Sequence, residues 1–312
     1  MFSININTTK KHPIIELKDN STNTLVEVFS FGAMLNKFIC NVDGDFFNVI
    51  DGYENLDEAI NPKEAWFKSC KLSPFVCRLH EGKFNFNNSS YTIEKFYLGE
   101  HAIHGIIYNG VYEIISSEAN DDSALVELKY DYKGEDKGYP FPFSSTVVWK
   151  LTQHNNLSVT TTIEHHNEFA IPICDGWHPY FKMDVSVDAC TFQINSNQQV
   201  EFDETLIPTG KIVVDERFLK PILLQNIELD NCFQLKNNVE PNCILKGKKL
   251  ALEISSNQNY PYLQIYTAPH RQSIAIENLS ATPDAFNNKM GLISLEPNTT
   301  IEFTANYKIN IN

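Results

Sequence analysis

Long apolar runs are missing from this 312-residue chain. Its apolar stretches are short, as at residues 292–295, and none approaches the ~20 residues of a membrane span. The start, MFSININTTKKHP, has no basic segment leading into an apolar one, so no secretory signal is expected. The seven cysteines are odd in number, scattered and never spaced CxxC, which argues against a disulfide framework or a zinc site. They read instead as small buried hydrophobes in a reducing cytoplasm. Excess positive charge is also lacking. The formal net charge is −14, which excludes a general nucleic-acid binder, because phosphate backbones demand clustered Lys and Arg. No phosphate-cradling glycine loop is present, and no metal, nucleotide or flavin cofactor is called for. Helical periodicity is scarce too: only residues 55–66 read as a short helix, with Asn55 as its cap and Asp57 and Glu58 in the first turn.

What the chain has is alternation. Leu157, Val159, Thr161 and Ile163 recur with period two, as do Ile301, Phe303, Ala305, Tyr307 and Ile309. Val126, Leu128, Tyr130 and Tyr132 form a third set; Leu263, Ile265 and Thr267 form a fourth. Such segments are half-buried strands. Asp43-Gly44, Asn87-Asn88 and Asn155-Asn156 fall between them as hairpin turns. With no linker, repeat or low-complexity tract, residues 1–312 read as a single all-β domain, a large antiparallel β-sandwich whose two sheets pack face to face.

Four clusters could carry chemistry. Arg78 follows Ser73-Pro-Phe-Val-Cys77 and precedes Gly82; facing a cleft, it would offer a rigid fork of donors. His101-Ala-Ile-His104-Gly105 has a histidine where the backbone approaches something closely, without the carboxylate or helix a metal site needs. In Asp175-Gly-Trp177-His178-Pro179-Tyr180-Phe181, Pro179 holds His178 extended among aromatic rings. Glu277 ends an apolar strand, where burial would raise its pKa toward that of a general base. Asp230, before Asn231-Cys232-Phe233, is a fifth and weaker element.

In order, these segments resemble the aldose 1-epimerase (galactose mutarotase) family. The resemblance runs from Phe31-Gly32-Ala33 through Arg78 with Gly82-Lys83-Phe84, His101 to Gly105, and His178 to Phe181. It continues through an intact Asp-Glu-Thr-Leu-Ile-Pro-Thr-Gly run at residues 203–210, Asp230 to Phe233, and Glu277. Two positions depart from the family pattern. Cys77 stands where an Asn commonly precedes the Arg, and His178 sits in Trp-His-Pro-Tyr-Phe rather than Asn-His-Ser-Tyr-Phe.

The resemblance implies a cytoplasmic isomerase, monomeric or homodimeric, exchanging the anomers of a hexose such as glucose or galactose. It places Glu277 as base and His178, protonated, as acid on opposite sides of the ring, with His104 as a supporting donor. Arg78 and Asp230 would hold hydroxyls, and Trp177 or Phe286 would stack on the sugar. Alternatives are a hexose-6-phosphate epimerase, which needs Arg78, Lys182, Arg217 or Arg271 gathered at a pocket mouth, and a non-catalytic carbohydrate-binding protein. A glycoside hydrolase or lyase would need a second carboxylate, and Asp284 is the only acid near Glu277 in sequence.

Overall fold

The computed structural model describes residues 1–236 and 239–311. Two large antiparallel sheets dominate it. One has nine strands, in the spatial order Glu113–Ala119, Ser123–Tyr132, Phe143–Thr152, Asn156–Glu164, Thr300–Ile311, Leu250–Ser256, Cys243–Lys246, Thr191–Ile194 and Ile222–Leu223. The other has eight. It runs Pro208–Val214, Gln198–Phe202, Asp230–Gln234, Tyr262–Thr267, Ile274–Leu279, Gly176–His178 and Cys70–Leu72, with Tyr180–Phe181 also pairing Ile274–Leu279. A five-stranded sheet is built from the first 48 residues, Phe2–Asn7 to Asp45–Asn48.

Alternation explains the layering. In Asn156–Glu164 every second residue is buried, with Leu157, Val159, Thr161 and Ile163 all at 0% exposure. In Thr300–Ile311 the buried set is Phe303, Ala305, Tyr307 and Ile309. These faces meet the inner face of the eight-stranded sheet. Trp149 lies edge-on to Trp177 with centroids 5.4 Å apart, and Phe181 packs 5.3 Å from Tyr307. Fully burying side chains of this size stabilises by roughly 1.5–3 kcal/mol each, before chain entropy is subtracted.

The expected turns are in place. Asp43 and Gly44 join Met34–Val42 to Asp45–Asn48, and Asn87 and Asn88 join Lys83–Phe86 to Ser89–Thr92. All four have positive φ. The expected helix is shorter than residues 55–66. It spans Leu56–Ile60, with the Asn55 side chain accepting from the Glu58 amide. Pro62 disfavours helical geometry at Asn61, so the chain leaves the helix there. Trp66 is thereby freed to reach the cleft described below. No helix of the described residues is long and apolar enough to cross a membrane.

Candidate active site

A cleft of about 470 Å³ opens on the outer face of the eight-stranded sheet. Adjacent strands bring the acid and base candidates to its floor. Gly176–His178 and Ile274–Leu279 are antiparallel, and period-two geometry sends His178 and Glu277 outward while Trp177 and Ile276 point into the sandwich. Pro179 then breaks the ladder before Tyr180–Phe181 resumes it, so Tyr180 also faces the cleft and Phe181 the core. Glu277 lies within its strand rather than at its end.

His178 Nε2 stands 3.2 Å from Glu277 Oε1. The Cys77 thiol faces the other oxygen, Oε2, at 3.7 Å. Burial pushes the Glu277 carboxyl well above the usual carboxylate range, and the Asp230 carboxylate pushes the same way; Cys77 and Arg78 counter in part. Burial pushes the His178 imidazole down to about 4. Taken alone, then, His178 would be neutral at pH 7 rather than the standing cation expected. Cys77 stays a thiol, because burial and the neighbouring carboxylates raise its pKa. It therefore donates toward Glu277.

His104 joins from a separate loop. Its ring lies edge-on to His178 at 4.8 Å, and its Nδ1 has no partner among the described residues. The loop is locked by interlocking backbone. The His104 amide donates to the Cys77 carbonyl (2.8 Å) and the Ile106 amide to the Ser73 carbonyl (2.9 Å). Between them Gly105 takes φ +74°, and a Cβ there would lie 2.1 Å from the Ser73 oxygen. The close backbone approach read from His-Gly is thus an approach to Ser73.

Arg78 and Asp230 both line the cleft. Asp230 begins a strand rather than sitting in a turn, and its Oδ1 accepts from Gln264 Nε2 at 2.7 Å. Gln264 pairs in register with Glu277, so it links the two carboxylates' strands. Asp230, not Asp284, is therefore the second acid beside Glu277. Asp284 holds a turn instead, accepting from the His80 amide and the Asn287 side chain.

Two expected residues are elsewhere. Trp177 is 2% exposed behind the sheet, its ring under Lys71 Nζ at 4.4 Å. Phe286 is 1% exposed and packed on Phe84, Phe75 and Tyr139. Neither lines the cleft. Its aromatic lining is Trp66, Phe67, Tyr180, Phe202 and Tyr266, joined by Leu98 and Leu206. The run at residues 203–210 contributes here. Asp203 Oδ1 accepts from the Thr205 and Ile207 amides, and this turn presents Leu206 to the cleft. Gln264 and Tyr266 were legible only as the polar-looking face of an alternating strand; that face meets a cleft rather than open water. Of the cations that could meet a phosphate, only Arg78 lines the cleft. Arg217 pairs with Asp215 (2.7 Å), Arg271 with Asp188 (2.8 Å), and Lys182 is not among the lining residues.

A model of the family described as aldose 1-epimerase matches residues 13–308. An aldose 1-epimerase of Streptococcus thermophilus is 25% identical, covering 93% of this chain and 92% of that protein. The uncharacterised protein YihR of Escherichia coli (strain K12) is 29% identical over 72% of this chain and 73% of its own length. Among solved structures, a galactose 1-epimerase from Lactobacillus acidophilus NCFM superposes with a TM-score of 0.84 at 18% identity, covering 100% of this chain and 99% of that one. A galactose mutarotase-like protein from Clostridium acetobutylicum gives 0.86 at 18%, with coverage of 100% and 99%. The chain shares their fold and, by its match over nearly all its length, belongs to the aldose 1-epimerase family.

Proposed function

We propose that this protein interconverts the α and β anomers of an unphosphorylated aldose, with Glu277 and His178 as the proton-transferring pair. The observation that carries the proposal is the 3.2 Å contact between His178 Nε2 and Glu277 Oε1 on the floor of a cleft.

The two atoms that exchange protons in anomer interconversion, the anomeric oxygen and the ring oxygen, are both bonded to C1. An acid and a base side by side can therefore serve both, and they need not flank the ring. Glu277 takes the proton of the anomeric hydroxyl. A C1=O double bond forms, and the C1–ring oxygen bond breaks with its electron pair going to the ring oxygen. His178 supplies that oxygen with a proton. Rotation about C1–C2 turns the other aldehyde face toward the ring oxygen, and closure reverses both transfers. Ring opening starts from carboxylate and imidazolium and leaves carboxylic acid and neutral imidazole. Both states carry one proton on the pair, and burial favours the second.

His104, edge-on to His178, adds a donor on the same side. Arg78 and Asp230 hold hydroxyls, and Trp66 and Tyr266 offer the faces for the sugar's C–H surface in place of Trp177 and Phe286. Among the lining residues, Arg78 stands against the carboxyl groups of Glu64, Asp230 and Glu277. A single guanidinium among carboxyl groups supports a neutral sugar over a sugar phosphate, whose dianion calls for clustered Arg or Lys. A mere sugar-binding protein has no use for a buried base in contact with an acid.

Polarimetry on freshly dissolved α-D-glucose, α-D-galactose and glucose 6-phosphate tests this. The protein should speed the approach to anomeric equilibrium for a free sugar and much less for the phosphate. Binding by calorimetry without any acceleration would make it a binding protein instead.

A further inference from the structure

Behind the proton-transferring pair lies a second, fully enclosed pair that the mechanism above leaves unused. Lys71 and Asp175 each have 0% side-chain exposure, and Lys71 Nζ is in direct contact with Asp175 Oδ1. Two charges so deep are costly to desolvate, and well-packed apolar residues often serve stability as well or better. Stability alone is therefore a weak reason for the pair to be there.

Its connections suggest another reason. Lys71 Nζ also donates to Thr161 Oγ1 (3.0 Å), on the facing nine-stranded sheet, and sits 4.4 Å over the Trp177 ring. Asp175 Oδ1 accepts from the Tyr260 hydroxyl at 2.6 Å. The Asp175 amide donates to Ser280 Oγ (2.8 Å), and the Ser280 amide returns a bond to the Asp175 carbonyl (2.9 Å). His178 is the third residue after Asp175, and Glu277 the third before Ser280. Backbone pairing brackets the two residues, with Gly176 opposite Leu279 on one side and Tyr180 and Phe181 opposite Ala275 and Ile274 on the other, and Pro179 interrupts the ladder between them. The ion pair and the Asp175–Ser280 bonds tie both strands to each other and to the opposite sheet. In the register, Lys71 stands opposite Trp177, and the next pair is Cys70 with His178, whose ring lines the cleft.

We infer that Lys71 and Asp175 are positioning residues for anomer exchange: a buried ion pair, out of reach of substrate, that sets the separation of His178 and Glu277. The inference rests on the reaction proposed above. Its test is the double variant Lys71→Met/Asp175→Asn, which removes both charges, keeps the side-chain volumes and leaves an acceptor for Tyr260. The melting temperature should fall only modestly, because the desolvation cost of two buried charges goes with them while one buried amide is left without a partner. The kcat for the best aldose should fall about 10- to 100-fold through misplacement of the acid and base. KM should stay within about twofold, because the sugar's own contacts are intact. The edges of the pH–rate profile should move, since the shared proton's affinities depend on the His178–Glu277 separation.

A kcat and pH profile like those of the unchanged protein would overturn the inference. So would a lowered melting temperature with kcat per folded molecule unchanged, which marks a purely structural pair. Should the double variant not fold, Thr161→Val removes the tie from Lys71 to the facing sheet, together with the hydroxyl's bond to Tyr260, and leaves the ion pair in place. It should lower kcat several-fold at constant KM, and an unaltered kcat overturns the inference equally. If the unchanged protein accelerates no sugar's mutarotation, the proposed function itself fails, and that is seen before any variant is made.

Discussion

Glu277 and His178 respond oppositely to the same burial: the carboxyl is driven up and the imidazole down to about 4. The pH dependence follows. The proposed mechanism runs with one proton on the pair. As pH falls through about 4 a second proton is taken up, Glu277 is no longer available as a base, and kcat should drop; a rate profile still flat well below that point would count against the pairing. Stability has its own window. His178 is depressed from 6.5, so between pH 6.5 and about 4 the unfolded chain binds a proton that the folded chain refuses. Stability therefore falls as pH falls through that range, with His104, also depressed by burial, adding to the loss. Urea midpoints at pH 7 and pH 5 should differ less for His178→Gln than for the unchanged protein. Equal differences would show that His178 does not titrate this way. At the mouth, Trp66→Ala should raise KM by removing a stacking face, with little effect on the melting temperature, because Trp66 is only half-buried.

At the scale of elements, the loop holding His104 stakes most on one residue. Gly105→Ala places a Cβ 2.1 Å from the Ser73 oxygen at φ +74°. Strain of this kind costs on the order of 1–3 kcal/mol and must displace the Ser73 or His104 backbone. The expected result is a lower melting temperature together with reduced kcat; a variant with normal activity would mean the loop's position is not needed. The element scale also shows where sequence reading succeeds. Arg78, His104, His178, Asp230 and Glu277 all line the cleft; each carries only a weak local signal, and their ordered resemblance to one family is what joins them. Trp177 and Phe286 show why it fails. An aromatic next to a site in sequence lies, in a strand, on the opposite face, so Trp177 is turned inward by the same periodicity that turns His178 outward. Trp66 was hidden because residues 61–69 have no periodicity that fixes a direction.

At the scale of the whole molecule, alternation made the β-sandwich legible, whereas the strand order was not. The final strand, Thr300–Ile311, lies at the centre of the nine-stranded sheet, between Asn156–Glu164 and Leu250–Ser256. Nothing local in its sequence distinguishes a central strand from an edge strand; the difference is made by partners some 50 to 150 residues away. Phe303, 0% exposed and stacked on Tyr260 at 5.4 Å, sits where the sheets meet. Phe303→Ala should cost roughly 3–5 kcal/mol by leaving a cavity. It should do so in one cooperative urea transition, since the core of the two sheets is continuous. A loss below about 1 kcal/mol would contradict the packing described.

The central claim is that Glu277, in contact with His178, moves the proton that opens the sugar ring. It is tested most directly at anomeric equilibrium, by NMR exchange between the α and β H1 signals of glucose or galactose. The unchanged protein should produce exchange between them. Glu277→Gln, with its fold verified by an unaltered melting profile, should lose about 10²–10⁴-fold of that rate. Exchange by Glu277→Gln at the unchanged protein's rate would contradict the account.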